Sequence, residues 1–178
     1  ETTLQTTVKS LVTFEGVGLH SGAPVSMSVH AASPNHGIWF RRTDVVGVDA
    51  MVPALWDAVN PTPLCTKIEN QDGTVVSTIE HIMAALAGCG INNALIELSG
   101  EEVPIMDGSS AEFVRGLLAK GVQQQGTDGW ALRILKPVEV RTDMGWARLE
   151  PARNLSIDFA IEFEDAAIGA QSKTLNMA

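Results

Sequence analysis

The chain has 178 residues, of which 45% are apolar, enough to bury the core of one domain or of two small ones. Twelve Lys and Arg against twenty-one Asp and Glu give a formal charge of -9, which argues against a broad surface for nucleic acid or anionic lipid. No apolar run approaches the roughly 20 residues that span a bilayer, and the polar opening ETTLQTTVKS lacks the basic and apolar segments of a secretory leader, so a cytoplasmic protein is expected.

The first clear pattern is PVSMSVH, in which Val25, Met27 and Val29 alternate with Ser26, Ser28 and His30 as in a half-buried strand. SPNHG then signals a turn and GIWFRR follows, which predicts a hairpin. Cys65 sits in TPLCT ahead of a further strand. It and Cys89 lack any paired metal-thiolate spacing, so neither a disulfide framework nor a zinc ribbon is indicated, and Cys89 reads as a small buried hydrophobe.

From Val76 to Ala87 the period becomes helical, with Ile79, Ile82, Met83 and Leu86 on one face and Gly88 and Gly90 available to end the helix. NALIEL reads as a buried strand. GSSAEFVRGLLAKG predicts a second helix with a stripe of Phe113, Val114, Leu117 and Leu118, a cap at Ser109 or Ser110, and a stop at Gly121. The polar QQQGTDG, residues 123–129, is the expected boundary, giving domains 1–127 and 128–178. Beyond it ALRILKPVEVR, WARLEP and LSIDFAIEF read as three or four strands with no helix. Their apolar face has no cover within the chain, which predicts an incomplete, mainly β start to a second domain. The class expected is α+β.

Glu80 and His81 open the first helix. Ser77 followed three residues later by Glu80 matches a capping box, which would account for the carboxylate structurally. The chemical alternative is amide hydrolysis at a metal, which needs three protein ligands, an open position for water and a carboxylate to move its proton. Neighbouring helical residues point about 100° apart, so one of the pair could bind metal while the other approaches the bound water. His20, His30 and His36 have no spacing that marks them as further ligands. A metal-free hydrolase with Cys65 as nucleophile and His20 or His81 as base is a further possibility, although no nucleophile motif surrounds Cys65.

Taken together, GVGLHSG, GIWFRRTD, LCT, STIEHIMAALAGCGINNALIEL and EVPIMDGSSAEFV resemble the amino-terminal part of the UDP-3-O-acyl-N-acetylglucosamine deacetylases, zinc enzymes of lipid A biosynthesis. The resemblance implies a two-layer sheet and helix sandwich followed by the beginning of a second, similar domain. It makes Glu80 the catalytic carboxylate and His81 the first ligand of a Zn2+ site that is incomplete in this chain. It places Leu19, Leu64 and Cys65 along the substrate cleft and Phe163 near the uridine end, where a place in the core of its strand is the competing expectation. His20 would support the site and Asp107 would shape a turn. The remaining zinc ligands would come from a carboxy-terminal segment beyond residue 178, so the chain alone is expected to be inactive. The substrate implied is UDP-3-O-acyl-N-acetylglucosamine, with no nucleic acid and no membrane span. Arg41 and Arg42 could meet its diphosphate or simply line a solvated sheet edge. A non-catalytic interaction module that keeps the fold is the alternative.

Overall fold

A five-stranded sheet organises the first of two units in the computed structural model, which describes residues 3–177. In chain order this unit contains β1 (Leu4–Val8), β2 (Val12–Val17), β3 (Pro24–Ala31), β4 (Ile38–Arg42), β5 (Met51–Pro53), a 3-10 turn (Trp56–Ala58), β6 (Val59–Asn60), β7 (Lys67–Glu69), β8 (Val75–Val76), α1 (Glu80–Gly88), β9 (Ala94–Leu98), α2 (Ala111–Lys120) and β10 (Val122–Asp128). The main sheet runs β2-β3-β9-β4-β5, and β6-β7-β8 and β1-β10 form two smaller sheets. The fold is α+β.

Val25, Met27 and Val29 turn inward from β3, as their alternation predicts. The hairpin expected between β3 and β4 does not form. Instead β9 lies between them, antiparallel to β3 and parallel to β4. Its Ala94, Ile96 and Leu98 are fully buried, and an apolar strand of this kind gains more from a central position than a local hairpin would.

The two helices pack on each other and cover the inner face of the sheet with Ile82, Ala85 and Leu86 from α1 and Phe113 and Leu117 from α2. Leu118, expected in the buried stripe, is exposed instead. Phe14 of β2 meets Phe113 edge to face at 5.1 Å. Close approach of α2 to that strand depends on Gly116, where a Cβ would lie 2.7 Å from two atoms of the Phe14 ring.

The polar stretch 123–129 is not a linker. Residues 122–128 form β10, antiparallel to β1, and the units divide between Trp130 and Ala131. Carboxamides stitch this seam: Gln125 accepts from Asn93 Nδ2 at 2.8 Å and donates to the Ala32 carbonyl at 2.7 Å, while buried Gln5 accepts from Asn93 Nδ2 at 2.8 Å.

A buried carboxylate ties the β2–β3 loop to the entrance of α1. Glu102, 4% exposed, accepts from the backbone N–H of His20 and Ser21 at 3.0 and 2.9 Å and from the Thr78 hydroxyl at 2.9 Å. Burial alone would raise its pKa, but the bonds from His20, Ser21 and Thr78 outweigh that and lower it from 4.5 to about 2.

The second unit consists of two hairpins, β11 (Val138–Thr142) with β12 (Gly145–Leu149) and β13 (Ser156–Glu162) with β14 (Ala170–Asn176). Val140, Trp146, Leu149, Ile157 and Phe159 are exposed on them.

Two stability measurements test this packing. Gly116→Ala should lower stability by about 1 kcal/mol in urea unfolding, because overpacking costs about 1–3 kcal/mol against about 1 kcal/mol of helix propensity gained. Gly88→Ala, with no atom within 4 Å of its new Cβ, should be neutral or slightly stabilising; equal losses in the two variants would refute the contact. For Glu102, whose folded pKa is depressed, the stabilisation is complete above about 4.5 and disappears as the pH falls through about 2. Glu102→Gln should therefore weaken the acid limb of a stability-against-pH curve, and an unchanged limb would show that the carboxylate is not held as described.

Candidate active site at the start of the first helix

Glu80 begins α1, four residues after β8, and is half-buried. The capping box expected from Ser77 and Glu80 is absent. No side chain caps the helix; the Ser77 hydroxyl donates to the Glu101 carbonyl at 3.1 Å, and Glu80 Oε2 accepts from the Thr66 N–H at 3.1 Å. The helix begins only at Glu80 because Thr78 adopts a left-handed backbone with φ 58°, which ends the preceding extended segment.

Thr66 is held from both sides. Its carbonyl accepts from the Ile79 N–H at 3.3 Å while its own N–H reaches Glu80, so the PLCT loop lies against the first turn of α1. This brings Cys65 and Leu64 beside Glu80 in the chain path. Cys65 is half-buried, with its sulfur 3.6 Å from Thr62 Oγ1. Leu64 is 89% exposed and has φ 69°, a conformation that costs a non-glycine residue about 1–3 kcal/mol and that clusters at functional sites.

His81 follows Glu80 and is half-buried. Its carbonyl accepts from Ser110 Oγ at 2.9 Å, which fastens the start of α2 to the first turn of α1. The hydroxyl expected as one possible cap is therefore used between helices, and Ser109 Oγ accepts from the Ala111 N–H at 3.1 Å instead. Asp107 shapes the turn that leads in, accepting from Ser109 N at 3.0 Å and Oγ at 2.9 Å. No side-chain hydrogen bond engages the His81 imidazole or Glu80 Oε1 among the described residues.

Leu19 lies in the β2–β3 loop, 57% exposed, next to His20 and Ser21, whose N–H groups bind Glu102. Since Glu102 also holds Thr78, the Leu19 loop and the approach to Glu80 share one anchor. Phe163 lies in the second unit just after β13, 54% exposed, so within that unit it is not a core residue. Arg41 pairs with Glu97, and Arg42 pairs with Asp44 and donates to the Val75 carbonyl, so both are engaged along the sheet.

The sequence assigns no role to Thr66, Thr78 or Glu102, and to Ser110 a different one. Only a local signal was available for Ser110, and it pointed to a cap. The others act through partners 14 or more residues away.

The Zn2+ expected from the resemblance requires three protein ligands. Among the described residues no group of three His, Cys, Asp or Glu converges, and His81 is the one ligand that the resemblance names. What the local geometry offers is a carboxylate with one oxygen anchored and the other available for a proton, beside an imidazole.

Residues 5–178 match the profile of UDP-3-O-acyl N-acetylglycosamine deacetylase. A UDP-3-O-acyl-N-acetylglucosamine deacetylase of Shewanella halifaxensis is 43% identical over 173 residues, covering 97% of this chain and 56% of the relative. Proteins of the same name from Histophilus somni, 42% identical over 165 residues, and Aliivibrio fischeri, 41% identical over 171, cover 93% and 96% of this chain and 54% and 56% of themselves. The chain thus spans little more than half the length of these relatives. A match of this extent and identity along nearly every described element means that the chain belongs to the UDP-3-O-acyl N-acetylglycosamine deacetylase family.

Proposed function

We propose that these residues form the proton-handling half of a deacetylase that hydrolyses the N-acetyl group of UDP-3-O-acyl-N-acetylglucosamine in lipid A biosynthesis. The observation that carries the reading is the hydrogen bond from the Thr66 N–H to Glu80 Oε2, which takes the carboxylate away from helix capping and leaves Oε1 to exchange a proton. The family and the names of the relatives support the substrate and the reaction.

Glu80 is the general base in this proposal. It removes a proton from the attacking water and returns it to the sugar nitrogen as the carbon–nitrogen bond breaks, releasing acetate and a free amine. Anchoring of Oε2 by a backbone amide keeps the carboxylate in one orientation through both transfers. Leu19, Leu64, Cys65 and Phe163 contact the substrate. An exposed leucine held in a left-handed turn suits such a role, because nothing within its unit requires that side chain for packing.

His81 supplies one ligand to Zn2+, a Lewis acid for the amide carbonyl and its water when bound. Two further ligands must come from the part of the relatives' length that this chain does not span, so the 178 residues by themselves neither hold zinc tightly nor hydrolyse the substrate. A cytoplasmic site of action fits this reading. No helix among the described residues is long and apolar enough to cross a membrane.

Two experiments test the proposal. With the remaining segment supplied, in one chain or in trans, deacetylation should appear, and Glu80→Gln should lower kcat about 100- to 10,000-fold with little change in KM; full activity in that variant would remove Glu80 from the chemistry. Zinc titration of the 178-residue chain should show only weak binding, whereas tight one-to-one binding abolished by His81→Ala would mean that the chain completes the site without outside ligands.

A further inference from the structure

We infer that Glu102 is a positioning residue for Glu80: by gripping the β2–β3 loop and Thr78 together, it fixes the backbone segment that delivers Glu80 to Thr66. Its consequence for catalysis rests on the deacetylase reading; the positioning itself rests on geometry alone.

Thr78 is the key link. It is buried, β-branched and left-handed at φ 58°, a conformation that a β-branched residue keeps only when its surroundings enforce it. Two sets of contacts do so. The Ser77 N–H donates to the Glu101 carbonyl at 2.8 Å and the Val103 N–H to the Ser77 carbonyl at 3.1 Å, bridging the two segments on the near side. The Thr78 hydroxyl then donates to Glu102 Oε1 at 2.9 Å. Next along the chain, the Ile79 N–H and the Glu80 carboxylate close on Thr66. The turn at Thr78 therefore sets the direction in which α1 begins.

Glu102 is fitted to this task. No Lys or Arg pairs with it among the described residues, and its charge is met by N–H and O–H groups that converge from two separate segments. The loop packs closely at Gly18, where a Cβ would lie 2.3 Å from Glu102 Oε2 and 2.2 Å from Ser21 Oγ, so a side chain there would have to displace the carboxylate or the hydroxyl. Leu19 is thereby held in a fixed relation to Thr78. A neutral amide at position 102 would bring an NH2 group toward donors and break part of the set.

The experiment compares Thr78→Val, which deletes the hydroxyl but keeps the branched shape, with Thr78→Ser, which restores it. In the 178-residue chain, NMR should show the Thr66 amide proton displaced in Thr78→Val and back near its original position in Thr78→Ser, with the amides of β3 and β9 unmoved. A Thr66 amide that stays in place in Thr78→Val while the His20 and Ser21 amides shift would overturn the inference, because Glu102 would then hold the loop without placing Glu80. Should Thr78→Val fail to fold, Glu102→Gln is read at the same amide with the same two outcomes. In the active deacetylase, Thr78→Val should lower kcat about tenfold at nearly constant KM, and Thr78→Ser should stay within about twofold of the parent; equal kcat in the parent and in a Thr78→Val whose Thr66 amide has moved would overturn the catalytic consequence, while the positioning itself stands or falls on the NMR comparison. The NMR comparison needs no activity, so failure of the deacetylase reading would show in the kinetic arm alone.

Discussion

An anion taken out of water must find compensation, and the way Glu102 finds it shapes the end of the first unit that carries Glu80. Its partners are backbone amides of His20 and Ser21 and the hydroxyl of Thr78, all neutral groups fixed in position. Charge-assisted bonds of this kind are about twice as strong as neutral ones, but only while every partner stays in place. A surface ion pair could follow moving side chains. The two backbone donors of the loop cannot, and the Thr78 hydroxyl sits on a short, buried side chain, so the loop bearing Leu19 and the entrance to α1 are locked to each other through the carboxylate.

The same end of the unit concentrates unfavourable backbone. Leu64, Thr78 and Met106 are left-handed without being glycine, and they lie in the three connections that lead to Thr66, to Glu80 and to the start of α2. Each costs about 1–3 kcal/mol, so the packed core must hold them. Its rigidity has a visible source in the contact of Phe14 with Phe113 over Gly116, which seats α2, and in the Ser110 hydroxyl, which fastens α2 to His81. Stability from the apolar interior is converted into a defined geometry for two adjacent polar residues.

What could be read from the sequence follows the range of the interactions. The alternation of β3, the burial of β9 and the stop of α2 at Gly121, with φ 86°, are local patterns and are visible as such. The hairpin after β3 fails because β9, more than fifty residues later, takes the place beside it. β10 escaped detection because its seam uses Gln and Asn side chains in place of an apolar stripe. At the candidate site, Glu80, His81, Leu64 and Cys65 are singled out by family motifs and not by any spacing that geometry would demand. The capping box was a sound local inference defeated by distant partners: Thr66 drew the carboxylate and Glu101 the hydroxyl. Glu102 was invisible for a related reason, since two of its three donor residues act through backbone N–H groups that no side-chain pattern encodes.

The two ends of β9 use different polar chemistry, and the difference bears on function. Before Ala94, Asn93 joins Gln5 and Gln125 in a neutral carboxamide network whose bonds do not depend on pH. After Leu98 the chain reaches Glu102, where a charge is concentrated and its pKa depressed to about 2. A neutral network suffices to close a seam between strands. Setting the Glu80 carboxylate against a particular amide demands directional bonds strong enough to hold a left-handed threonine against its own preference, and a buried anion provides them. The placement of the charged clamp at the Glu80 end, and of the uncharged one at the other, is what a scaffold would require if only one of its ends must keep atoms in register for chemistry.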